Sequence, residues 1–130
     1  TNPLLSAFLR KATTQSEEWA NILVSRVVGI LSETTPDTWI MNIDSEQTPA
    51  LLEAIDERIE VQLHHLLTDP RFVGERLPCV ALYLVRANHD ELLVPDDDTV
   101  LKAGDRLLLC GRRNAENHMR CTTHNFHALN

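Results

Sequence analysis

A small α+β domain, a β-α-β-β-β sheet with a helical N-terminal lead-in, is predicted by three features of the chain. Apolar residues recur at helical spacing through most of the first 68 positions. Residues 37–44, 79–85 and 106–110 read as short β-rich runs, and the stretch 95–111 is turn chemistry running into an apolar strand. With 130 residues, 43% of them hydrophobic, the chain can bury one sizeable core, whereas two would each lack apolar surface.

The elements follow in order. Asn2 and Pro3 supply a cap and a first-turn proline, and Leu4, Leu5, Phe8, Leu9 and Ala12 keep helical spacing, which predicts a short opening helix. Ser16, Glu17 and Glu18 start a second helix. Its Trp19, Ile22, Leu23, Val27, Ile30 and Leu31 make a broad apolar face, and it ends near Ser32, ahead of Pro36. Residues 37–44, rich in β-formers and bounded by turn residues, predict a strand. Thr48 as cap and Pro49 open the longest helix, with Leu52, Ile55, Ile59, Leu63 and Leu66 on one face, until Asp69 and Pro70 stop it.

Residues 69–78 mix Pro, Gly and charge and read as a loop, after which Cys79–Val85 is a nearly continuous apolar strand with Arg86 at its end. Asn88, His89 and Asp90 turn the chain into a short strand at 91–94. Pro95 ends it, residues 96–104 are a long turn, and 106–110 form a last strand closed by Gly111. The expected organisation is a helical lead-in at 1–34, the domain at 35–112, and a polar C-terminal tail at 113–130 that reads as a truncated helix. Thr1 at the start and the apolar Phe126, Ala128 and Leu129 at the end suggest a piece of a longer chain.

The formal charge is −7, from 19 acidic and 12 basic residues, with no basic stripe, so nucleic acid is not an expected partner. No apolar run approaches the roughly 20 residues a membrane helix needs, and no signal-peptide pattern opens the chain, so a soluble segment without direct membrane insertion is expected. Cys79, Cys110 and Cys121 are odd in number and sparse. The first two sit in strand-like runs and read as reduced core residues, which suits the cytoplasm.

The order Pro95, Asp96, Asp97, Asp98, Thr99, Val100, Leu101, then Gly104-Asp105 and the apolar strand ending in Gly111 resembles the closing segment of the TrkA C-terminal (RCK-C) regulatory domain of potassium channels and transporters. The resemblance spans roughly residues 37–111. Turn chemistry accounts for the pattern independently: Gly104 can take positive φ beside Asp105, while Val100 and Leu101 fold onto the core. Pro95, Thr99, Leu101, Gly104, Asp105 and Gly111 are the structural turn motif. Where that family has Gly-Lys and an acidic-Leu group opening its helix, this chain has Thr48-Pro49-Ala50, and its helix and following loop look longer. The resemblance implies a cytoplasmic homodimeric module attached to the transmembrane part of a channel or transporter in an inner or plasma membrane. Its small regulatory ligand is unnamed, and dimer rearrangement carries the signal to the gate. Ligand contacts are expected around the 37–44 strand and the start of the long helix. No Gly-x-Gly-x-x-Gly loop occurs, so no dinucleotide cofactor is expected.

Other candidate chemistry lies at the C-terminus, where His118, Cys121, His124 and His127 recur every third residue and could ligate zinc from one helical face or turn. Structural zinc sites usually draw on two separated ligand pairs, so a solvated tail without zinc is the expectation. A metal-binding or structural interaction module using this tail is the alternative function. Asp96, Asp97 and Asp98 lack the Gly and terminal Glu of a calcium loop and read as a solvated acidic turn. His64 and His65 point about 100° apart on a helix and read as surface residues, while Trp19 and Trp39 read as packing residues. No nucleophile elbow, Walker loop or His-Glu zinc motif is present, and no enzyme is expected.

Overall fold

The computed structural model describes residues 3–31, 37–112 and 114–124. Its elements are α1 (Pro3–Ala12), α2 (Glu17–Leu31), β1 (Asp37–Asn42), α3 (Pro49–Asp56), α4 (Leu63–Leu67), β2 (Cys79–Val85), β3 (Glu91–Leu93), β4 (Arg106–Gly111) and α5 (Ala115–His124). The strands form one antiparallel sheet in the order β1-β4-β2-β3, an α+β architecture as expected. β4, last in sequence, is thus central, and its Leu107, Leu108, Leu109 and Cys110 are all buried. A strand covered on both faces reads as a continuous apolar run, which is how 107–110 looked in the sequence.

The two faces carry separate cores. Trp39, Met41, Leu84, Leu107 and Leu109 pack with Leu51, Ala54, Leu63, Leu66 and Leu67 of α3 and α4 and with Ala115 and Met119 of α5. On the other face Val80, Leu82, Tyr83, Leu108 and Cys110 take Leu4 and Phe8 of α1, with Trp19 and Leu23 of α2 against them. The lead-in helices therefore belong to the same folded unit. Phe8 sits between Trp19 and Tyr83, with ring centroids 6.4 and 6.2 Å away at tilted angles favourable for aromatic pairs. The face of α2 is less complete than its spacing suggested, because Ile22 remains exposed. The Asn2 cap and the end of α2 near Ser32 and Pro36 lie outside the described residues.

Two expectations are corrected. The long helix from Pro49 breaks: α3 stops at Asp56, and a separate short helix, α4, begins at Leu63. Arg58 takes φ 63°, its N–H donates to the Ile55 carbonyl at 3.0 Å, and the Ile59 N–H donates to the Ala54 carbonyl at 2.9 Å. This is a Schellman stop with Arg in the place usually held by Gly. The buried stripe is Leu51 and Ala54, while Ile59 is exposed beyond the break. Thr48 does not cap α3 with its side chain; its hydroxyl donates to the Asn42 carbonyl at 2.9 Å and accepts the Asp44 N–H at 3.0 Å, tying β1 to the helix start.

In the 113–130 tail, which reads as a truncated helix, residues 115–124 are helical, and Ala115 and Met119 enter the first core. Four of the ten α5 positions are buried, two of them Thr122 and Thr123.

Candidate functional site

Chain released by the α3 break becomes a docking seat for the Pro95–Gly111 motif. The Leu101 N–H donates to the Val61 carbonyl at 2.8 Å, and the Leu63 and His64 N–H groups donate to the Thr99 and Asp97 carbonyls at 2.8 and 2.9 Å. Gln62 and Val100 form an antiparallel bridge. Those first α4 N–H groups have no partner within the helix, so pairing with the turn satisfies both pieces of backbone.

Each motif residue has a physical task in holding that turn. Pro95 is buried, following Val94 at φ 46°, a conformation costly for a β-branched residue and held by its N–H on the Leu82 carbonyl at 2.8 Å. The Thr99 N–H closes the turn onto the Asp96 carbonyl at 3.0 Å, and Leu101 is buried in the first core. Gly104 takes φ 86°, and a Cβ there would lie 2.9 Å from that of Ala87. Asp105 is buried; its carboxylate accepts the Lys102 N–H at 2.7 Å and Arg86 Nη1 at 2.5 Å. Burial pushes this carboxyl above its ordinary range, against the Lys102 N–H and the Arg86 charge that pull it down. Gly111 has no room for a side chain, since a Cβ would fall 2.5 Å from that of Cys79 and 2.9 Å from the Trp39 ring.

Against this turn opens a groove of about 540 Å³. Leu63, Leu67, Val80, Ala81 and Pro95 give it apolar lining, and Asp96, Asp97 and Asp98 with Arg26 and Arg76 give it charge. Arg76 donates to both Asp97 carboxylate oxygens, at 2.5 and 3.4 Å, while Arg26 stands 3.9 Å from Asp96. These pairs are exposed, so solvent screens them and a charged ligand can compete for either partner. The lining holds carboxylates and guanidiniums but no Ser, His or Cys, a set suited to binding a small polar molecule with an apolar part. The groove lies beside the motif and not at the 37–44 strand or the α3 start, where ligand contacts were expected.

The remaining sequence candidates are not gathered into a centre. His118, Cys121 and His124 lie on α5, but Cys121 Sγ donates to the Asn117 carbonyl at 3.6 Å, and His124 Nδ1 lies 3.0 Å from the Arg120 carbonyl. Among the described residues, no three His, Cys, Asp or Glu side chains are placed to hold a metal. His127 lies outside the described residues. Cys79 and Cys110 are buried; burial pushes the Cys79 thiol up to about 12 and Cys110 upward as well, the reverse of an activated nucleophile. Cys121 is exposed.

The two adjacent histidines depart from the surface reading. Both are half-buried, with ring centroids 4.1 Å apart, because α4 is one short turn whose first residues meet the Gln62 side chain. The sequence reading missed Arg26, Arg76 and the Val61–His65 seat. A short link at 59–62 between two helical turns leaves no mark in apolar periodicity, and the available signal was the charged run Asp56–Glu57–Arg58.

Among the described residues no helix is long and apolar enough to cross a membrane. Comparison with known proteins adds no relative: no protein-family model matches the chain, and no curated protein matches it.

Proposed function

We propose that this chain is a ligand-sensing regulatory domain of the TrkA-C kind, the cytoplasmic part of a potassium channel or ion transporter of an inner or plasma membrane. It works as a homodimer, and a small ligand that binds one dimer geometry more tightly than another shifts the population and so acts on the gate. The observation that supports the reading is the tight structural use of the Pro95–Gly111 spacing. Pro95, Leu101, Asp105 and Gly111 are buried, Gly104 is set by its φ, and Thr99 is hydrogen-bonded into the α4 seat. A chance run of turn residues would not need every one of these positions. The groove between Arg26 and Arg76 is the place to look for the ligand.

Light scattering on a gel-filtration column tests the reading, with a dimer as the expected mass. A strict monomer across the accessible concentration range overturns the dimer mechanism. The metal-binding or structural module at the C-terminus has less support, because α5 directs Met119 and Ala115 into the core and, among the described residues, no three His, Cys, Asp or Glu side chains are placed to hold a metal.

A further inference from the structure

The seat under the Thr99–Leu101 turn contains a proton-sensitive hydrogen bond. At the start of α4, Gln62 and His65 bond reciprocally: the Gln62 backbone N–H donates to His65 Nδ1 at 2.9 Å, and the His65 backbone N–H donates to the Gln62 carbonyl at 3.0 Å. The imidazole stands in the position that a capping box usually gives to Glu or Gln. A ring nitrogen accepts only while it carries no proton, so the neutral ring with its proton on Nε2 is the form that closes the box. Protonation turns Nδ1 into a donor facing a donor.

His64, one residue earlier, is indifferent to the same event. Its Nε2 faces the Gln62 side-chain oxygen at 2.9 Å, a contact in which an N–H donates from either the neutral or the charged ring. The pair therefore holds one sensing histidine beside one that is not.

We propose that His65 is a proton-operated latch: its neutral ring holds the α4 start against the Asp97–Leu101 turn, and protonation releases both together. The mechanical link is direct. The capped residue Gln62 bridges Val100, and the residues on either side of it, Val61 and Leu63, hold Leu101 and Thr99. Release loosens Leu63 and Asp96–Asp98, which line the groove.

The surroundings of the ring place the opening of the latch below the ordinary histidine value. Burial is the largest influence and holds the His65 ring below its ordinary value of 6.5, His64 acts in the same direction, and the Gln62 contact and Glu60 oppose them. Across the seat, Asp97 is engaged by Arg76. α5, which also packs on α4, carries His118, Cys121, His124, Glu116 and Arg120, the last two paired with each other. Because the folded value is lowered, the unfolded chain takes the proton first. The stability the latch contributes is whole above about pH 6.5 and is lost as pH falls through the folded value.

Amide hydrogen exchange on the whole chain, corrected for intrinsic rates, tests the latch at pH 7.5 and 5.5. Protection of the Gln62, Leu63, His64 and Leu101 amides should fall on the order of tenfold in acid, the loss of one capping bond, while β2 and β4 amides stay level. His65→Gln keeps a side chain that caps without titrating and should abolish the fall, and His64→Gln should leave it intact. Uniform protection in the wild type, or an undiminished fall in His65→Gln, overturns the proposal. Should His65→Gln fail to fold, the wild type still decides the matter by NMR. The Gln62 amide shift must follow the titration of the His65 ring, and a Gln62 resonance that stays fixed while His65 titrates overturns it.

Discussion

Arg86 Nη1 stands 2.5 Å from Asp105 Oδ2, joining the end of β2 to the residue that opens β4, in a site where the carboxylate is 1% exposed and the Arg side chain 18%. The same guanidinium nitrogen donates to the Val100 carbonyl at 2.9 Å, so one Arg ties the turn at both ends. Asp105→Ala leaves that guanidinium partly buried without its anion and frees the Lys102 N–H. The expected cost is about 3 kcal/mol in urea unfolding, with Asp105→Asn losing about half as much because its oxygen still accepts the Lys102 N–H. Equal stability of all three proteins would mean that solvent replaces the pair.

Arg58 holds a left-handed conformation at the end of α3, a geometry that side chains with a Cβ adopt at a cost. Its own side chain is exposed, so little packing is at stake. Arg58→Gly should raise stability by about 1 kcal/mol, read as a higher urea midpoint with an unchanged slope. A lower midpoint would show that the helix break depends on the Arg side chain.

These two sites also show what could be read from the sequence and what could not. The strands at 37–42, 79–85 and 106–111 were legible because each is a short apolar run bounded by turn residues, and Gly104 beside Asp105 announced its own turn. The α3 break was not legible. Pro49 to Leu67 keeps enough apolar spacing to pass as one helix, its stop falls at Arg58 where Gly is usual, and the bonds that hold the chain beyond the stop join it to Asp97, Thr99 and Leu101, some 40 residues away. The charged walls of the groove were invisible for the same reason, since Arg26, Arg76 and Asp97 meet only through tertiary packing. Met119 was hidden in a polar helix whose average composition resembles a tail.

Gly104 separates two kinds of strain. Its φ of 86° penalises any side chain, and a Cβ there would also meet the Ala87 Cβ at 2.9 Å. Gly104→Ala should cost about 2 kcal/mol. Adding Ala87→Gly removes the contact but not the backbone term, so the double variant should recover about half of the loss after correction for Ala87→Gly alone. Complete recovery would assign the whole penalty to the contact.

Tyr83 is the only tyrosine in the chain, which makes its ionisation directly visible as phenolate absorbance. It is fully buried, and its hydroxyl donates to Glu91 Oε1 at 2.5 Å while Lys11 Nζ holds the other Glu91 oxygen at 2.5 Å, so the group links α1, β2 and β3. Burial, then the Glu91 hydrogen bond and charge, push the phenol up to about 12 from its ordinary 10. The folded state therefore prefers the neutral phenol. Its contribution is complete below about pH 10 and is lost as pH rises from there through the folded value. In native buffer the phenolate signal should stay flat well past pH 10 and rise with unfolding, whereas in guanidinium it should rise near pH 10. Tyr83→Phe should lower stability by about 1 kcal/mol at neutral pH and flatten the alkaline decline, because the phenol that responds to pH is gone. A native titration centred near 10 would place the hydroxyl in water and dissolve the link to Glu91.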